Sequence, residues 1–451
     1  MGQDFTGTEI AASIIEETKR EVDLRTRIRK REYRQRWEMV QSAMLDREID
    51  LVYACGSELD RSDAAWLAGV FDPIIERYGV MVPKEGTPAI LAGSEGGHVL
   101  EEAADRSGAE IYLLREFQIS DEEYRHAHFT SLEKVLESMG AEDADRVAIA
   151  SSPEFLPLSQ YELLKSRFGD GVVFDNVLQP LKYEKTHAEL RVCGQANVIA
   201  DAAMRAMIAA LEPGVTELEV AGIGDFVMKE LGAGRTGFPT IVTAGERNYT
   251  VIGPATNNVI EEDDMVSLGL SPTFNGYHGV VRRTVKVGDP TRDQERFLDS
   301  VEDLYRVVID ATAEAAEHDL PAKHIDQAGK EFLSKLELST VEGSLETPLE
   351  PYTFIHNTGC SECQEGFGAV TPHSDHPLGH SLALMIDIAL LGFRERGKPL
   401  FEVHYAVIED AFWKMDTRVG VYNSLPLNVQ SLVGNLDDYE HNPYHCPLPT
   451  G

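Results

Sequence analysis

Two stretches of the chain alternate apolar and polar residues at period two: Met265–Leu270 and residues 280–287. Pro272 and Gly276 interrupt the pattern between them, and Gly288 stops it. This predicts two antiparallel strands. Upstream, Val192, Ala196, Ile199, Ala203, Ala206 and Ala210 fall on one helical face. Pro213-Gly214 ends that helix, and Thr216 with Glu219 reads as a capping box opening the next. The first third of the chain reads differently. Short apolar runs at residues 50–55, 78–82, 88–92 and 146–150 alternate with helical stretches such as 131–139. That alternation predicts an α/β domain over residues 1–183, with the boundary near Tyr183 and a second domain over 184–451. Residues 1–24 read as an acidic arm or helix. Residues 25–36 form the one basic block, expected to be a solvated helix face. Residues 296–340 read as mainly helical.

Composition narrows the partners. There are 41 basic and 76 acidic residues in 451, a formal charge of −35. Nucleic-acid binding calls for a basic surface, so that class is set aside. No apolar run reaches the roughly 18 residues needed to span a bilayer, so no membrane partner is expected. Five sparse cysteines, Cys55, Cys193, Cys360, Cys363 and Cys446, fit reduced thiols in a cytoplasmic protein.

The central stretch continues Gly276-Tyr277, then Arg283-Thr284, then Val287-Gly288. Five further motifs accompany it: residues 181–191 at the domain junction, Pro213–Ala221, Phe238–Gly245, His356–Cys360 and Val407–Asp410. Their order resembles that of the creatinase, aminopeptidase P and prolidase superfamily, the M24 metallopeptidase-like or pita-bread proteins. The resemblance implies an α/β (α+β) chain: an N-terminal creatinase-like α/β domain followed by a C-terminal pita-bread domain. It also implies a homodimer. In relatives, two aspartates of the central hairpin help to hold a metal pair. Their places here carry Gly269 and Val280. A further ligand position is Cys360, another is Asp387, and Glu409 is retained. The relatives' histidine after Phe238–Gly245 is replaced by Ile252 or Gly253.

Hard divalent cations need several carboxylates, so the expectation is no metal and no other cofactor. Creatinase implies what chemistry remains: metal-independent hydrolysis of a C–N bond. Attack by water then needs a base and an acid, and one histidine can serve both turns. His356, Glu409 and His278 are the candidate catalytic residues. Asp387, Arg283, Arg247, Tyr277 and Cys360 are candidates for holding the substrate, the arginines by gripping a carboxylate. The expected substrate is a small zwitterionic nitrogen compound, hydrolysed or cleaved by a lyase. Two alternatives stand beside this. One is an inert pita-bread interaction protein. The other is an Xaa-Pro-peptidase-like enzyme with a re-tooled metal site built from Cys360, Cys363 and nearby histidines. Cys360 as a nucleophile partnered by His356 is a further possibility, and two buried thiols without function the plainest.

Overall fold

The computed structural model describes residues 6–69, 72, 75–119, 124–336, 338–339, 345–346, 350–363, 365–393 and 404–449. Two compact units emerge, Arg27–Tyr183 and Met1–Thr26 with Glu184–Gly451. The junction falls at Tyr183. The arm, grouped by sequence with the first domain, instead belongs to the second unit. Its helix Gly7–Thr18 is opened by a Thr6/Glu9 capping box and buries Ile10, Ala11, Ile14 and Ile15.

The first unit is a six-stranded mixed sheet. Its order is Glu110–Leu113, Ala89–Ala92, Tyr78–Pro83, Leu51–Gly56, Val147–Ile149, Val172–Phe174. The basic block is not wholly solvated, as expected from its charge. Arg36, on helix Lys30–Arg47, is buried between the rings of Tyr33 and Trp66 and donates to the Trp66 carbonyl. A buried guanidinium with aromatic faces on its flanks is held by cation–π attraction as well as hydrogen bonding.

The second unit carries the sheet that matters for function. Its strands run Ile355–Asn357, Ser381–Phe393, His404–Met415, Val281–Lys286, Met265–Leu270, Ile241–Ala244, with Arg418–Val421 also paired to His404–Met415. All of these pairings are antiparallel. The two strands read from period two are there. Between them sits a tight hairpin, Thr273–Phe274 against Tyr277–His278. Its turn residues Asn275 and Gly276 both have positive φ, 46° and 80°. Asn-Gly tolerates that geometry, and its twist suits a two-residue hairpin.

Helix His187–Ala209 begins at a Thr186/Glu189 capping box and buries the predicted apolar face from Val192 to Ala206; Ala210 is the half-buried C-cap. The Thr216/Glu219 box opens Glu217–Glu230 as read from sequence. The region read as mainly helical resolves into Arg292–His318 and Lys323–Leu333. Residues 337 and 340 lie outside the described residues.

Candidate functional site

Side chains along a strand point alternately to the two faces of its sheet. The register therefore sorts the chemistry. Gly269 pairs with Arg282, Arg282 with Glu409, and Glu409 with Asp387. These four form one row across four strands, on one face. His356 pairs with Met385, two residues from Asp387, so it shares that face. Arg283 and Asp410, one residue along, point to the other face.

Arg282 is the centre of the row. It is only 3% exposed. Its Nη1 donates to the Tyr352 hydroxyl at 3.0 Å; its Nη2 donates to the Tyr405 hydroxyl and the Val251 carbonyl, both at 2.8 Å. Nη1 lies 3.7 Å from Asp387 Oδ1 and 3.7 Å from Glu409 Oε2. Tyr352 also donates to Asp387 Oδ1 at 3.1 Å. Burial disfavours the Arg282 charge, but the tyrosine hydroxyls and both carboxylates outweigh it and hold the guanidinium protonated.

The other oxygen of Glu409 faces His356. Oε1 is 3.6 Å from His356 Nε2. Glu362, on the loop after the Ile355–Asn357 strand, closes the group. One ligand-type atom each from His356, Glu362 and Glu409 lie within 4.8 Å of one another. Burial pulls the His356 pKa down. The hydrogen bond to Glu409 and the charges of Glu362, Glu409 and Asp387 win, raising it to about 9. Burial raises the carboxyls of Asp387 and Glu362 above the usual range, with His356 pulling both back. The site therefore holds three carboxyls against one guanidinium and one imidazolium. Tyr352 and Glu362 are its less buried members.

His278 reaches this group from the small hairpin. A side chain at Gly237 would meet Ser271 Oγ at 2.7 Å, His278 Cδ2 at 2.8 Å and Glu362 Cγ at 2.9 Å. These three side chains thus crowd one point of the backbone. His278 Nδ1 is 3.0 Å from the Gly359 carbonyl.

The remaining candidates stand elsewhere. Arg283 is fully buried on the opposite face, 2.9 Å from Asp410 Oδ1. It also donates to the carbonyls of Leu425 and Pro426. Arg247 is engaged by Glu217 at 3.0 Å and by the Pro254 carbonyl. Glu217 also accepts from Ala244, Thr256 and Asn258, so the pair ties a loop together. Tyr277 donates to Glu189 at 2.8 Å, inside the core. Cys360 is buried within electrostatic reach of Cys193. Among the described residues, the one cluster of three possible ligands contains no cysteine, and all five cysteines are free thiols. The re-tooled Cys/His centre is not assembled there.

Arg282, Glu362, Tyr352 and Tyr405 were missed from sequence. A signal for Arg282 existed. Gly269 and Arg282 are one hairpin apart, so a side chain deleted on one strand faces a long one added on the next. A Cβ at Gly269 would lie 2.8 Å from Arg282 Cγ and 3.3 Å from its Cδ and Nε. Gly269 is the clearance for the arginine. Gly269→Ala is expected to destabilise the protein by about 1–3 kcal/mol through overpacking. Equilibrium urea unfolding checks this, and an unchanged midpoint would show that Arg282 moves aside freely.

Fold and site define a class, a two-unit pita-bread protein with a buried, charged row on one face of its catalytic-type sheet. Residues 192–400 match the model of metallopeptidase family M24, and the chain is similar to Xaa-Pro dipeptidases in sequence and fold. It is 26% identical to an Xaa-Pro dipeptidase of Pyrococcus furiosus over 246 residues, 53% of this chain and 67% of that one. It is 33% identical to an uncharacterized peptidase of Bacillus subtilis over 144 residues, 32% of this chain and 39% of that one. The second alignment thus spans less than half of that relative. Among solved structures, an Xaa-Pro dipeptidase from Bacillus anthracis superposes with a TM-score of 0.66 at 20% identity, covering 88% of this chain and 99% of that one. Dipeptidase PepE from Mycobacterium ulcerans gives 0.67 at 19% identity, covering 90% and 99%. No helix among the described residues is long and apolar enough to cross a membrane.

The family resemblance implies two metal ions, and this site does not fit them. Gly269 and Val280 offer no side-chain ligand. The space over Gly269 is taken by the Arg282 side chain, whose fixed positive charge already engages Asp387 and Glu409. A cation pair there would be repelled by the guanidinium and would lack the bridging carboxylates such pairs require.

Proposed function

We propose that this protein is a metal-independent hydrolase of a C–N bond in a small, positively charged or zwitterionic nitrogen compound. The observation carrying this reading is His356 set between the carboxylates of Glu409 and Glu362. The carboxyls of Glu362 and Glu409 beside His356 are the groups that would hold a cationic nitrogen. Asp387 and Glu409 are held by Arg282, which leaves Glu362 to meet the substrate. Glu362, its pKa raised towards the working range, takes a proton from water as the water oxygen bonds to carbon. His356, protonated, gives its proton to the departing nitrogen as the C–N bond breaks. Proton transfer from Glu362 to His356 resets both. His278 is proposed to line the same space. A cytoplasmic homodimer is part of the proposal and rests on the resemblance alone.

The test is a screen of amidino, N-methylated and imino-acid compounds, with Xaa-Pro dipeptides alongside, using protein dialysed against a chelator. Turnover of one of the small compounds that survives dialysis is expected. Activity that appears only after a divalent metal is restored would sink the reading. That result would favour a second one, Xaa-Pro dipeptide hydrolysis at a single re-tooled cation site. The likeness to Xaa-Pro dipeptidases supports it, as does the His356, Glu362 and Glu409 cluster, whose N and O donors suit one divalent ion.

A further inference from the structure

We propose that Arg282 is a built-in replacement for a metal ion, and that the row it neutralises is a latent divalent-cation site held closed by its guanidinium. This concerns the site's electrostatics and does not depend on the substrate.

The argument is geometric. Asp387 and Glu409 are cross-strand neighbours on one face, both at most 8% exposed. Two carboxylates so placed repel each other unless a cation or a proton intervenes. Arg282 Nη1 stands equidistant from both, at 3.7 Å. Its distances are those of charge pairing more than of direct hydrogen bonding. Its hydrogen bonds go instead to Tyr352, Tyr405 and the Val251 carbonyl, which aim the charge. Its Nε has no hydrogen-bond partner among the described residues. A guanidinium chosen for hydrogen bonding alone would not leave that group orphaned in the interior. Room for the side chain exists only because position 269 is glycine.

Remove the guanidinium and the row changes character. Glu409, Glu362 and His356, with Asp387 beside Glu409, then form one acidic, nitrogen-containing group without a guanidinium. Carboxylate and imidazole donors in that number bind a divalent ion such as Mn2+ or Zn2+. Arg282 is accordingly a positioning residue, holding Asp387 and Glu409 in the place and charge state that the rest of the site requires.

The experiment is calorimetric titration of metal-stripped protein with MnCl2 and with ZnCl2, comparing the wild type, Arg282→Met and Arg282→Lys. Arg282→Met is expected to bind one equivalent of metal about 100-fold more tightly than the wild type or Arg282→Lys, because one nearby unit charge has been withdrawn from a poorly screened site. Adding His356→Ala to Arg282→Met should abolish most of the gain, which places the ion in this cluster and not on the acidic surface. Equal affinity in the wild type and Arg282→Met overturns the proposal, as does a folded Arg282→Met with no gain. If Arg282→Met does not fold alone, it is expected to fold when MnCl2 or ZnCl2 is present, and failure to do so likewise overturns it. Failure of every small compound in the substrate screen leaves these titrations unaffected, whereas metal-dependent turnover by the wild type would count against both readings.

Discussion

His356→Ala is expected to reduce turnover about 100-fold or more, with an unchanged circular dichroism spectrum. A positioned proton-transfer group typically supplies 10²–10⁴ in rate, and His356 is the imidazole grouped with Glu362 and Glu409 among the described residues. Glu409→Gln should cost a similar factor by a different route. The Glu409 carboxylate is the leading influence that lifts the His356 pKa to about 9 against burial. Without its charge the pKa falls, so less imidazolium is present to protonate a departing nitrogen. Titration of the His356 ring by NMR in both proteins reads this directly. A histidine variant with normal turnover would remove His356 from the mechanism and shift attention to His278. A Glu409→Gln protein whose His356 titrates as in the wild type would show that the two do not act together.

Arg283→Met is expected to be the most destabilising of the substitutions considered, by about 3–5 kcal/mol, because it strands a buried carboxylate. Asp410 is fully buried. Its Oδ2 accepts from Arg283 at 3.2 Å, Tyr305 at 3.0 Å and Asn442 at 3.2 Å. Burial raises its pKa to about 7, with Arg283 opposing the rise. The native state therefore holds the Asp410 proton more tightly than the unfolded chain, whose value is near 3.8. Such a group lowers stability progressively as pH rises from about 4 to 7. Losing Arg283 lifts the native pKa further, so variant and wild type should lose stability in parallel between about pH 4 and 7, and the deficit of the variant should grow only as the pH rises through about 7. Denaturant unfolding at three pH values measures this. A deficit below about 1 kcal/mol at pH 7 would mean that the pair is not structural, and would return Arg283 to the substrate-binding role its motif implied.

The contrast between Arg282 and Arg283 shows where local sequence stops. Period-two alternation announced the strand, and the motif frame drew attention to the second arginine. Adjacent strand residues face opposite ways, however, and which of two arginines meets the site depends on the register with Met265–Leu270 and His404–Met415. The acidic partners come from His404–Met415, more than 120 residues away, so no window around the two arginines contains them. Arg247 makes the same point. Its charge fits a carboxylate, and the carboxylate it found is Glu217, brought near by the packing of Glu217–Glu230.

What the sequence determined by itself was whatever is short-ranged or carried by order along the chain. The capping boxes at Thr186 and Thr216, the buried face from Val192 to Ala206 and the Asn275-Gly276 turn each depend on contacts within a few residues, and each is written locally. The order of motifs identified the superfamily because it survives where single ligands have changed. The loss of the aspartates at Gly269 and Val280 was equally plain. What replaced them was not. That Arg282 fills the clearance over Gly269, that Glu362 folds back onto His356, and that Tyr352 and Tyr405 steer a guanidinium are consequences of four strands meeting in one register and of a loop returning over them. Most of those contacts join residues from strands and loops far apart in sequence, and only the closed tertiary structure, where burial strengthens each charge interaction, decided which of them form.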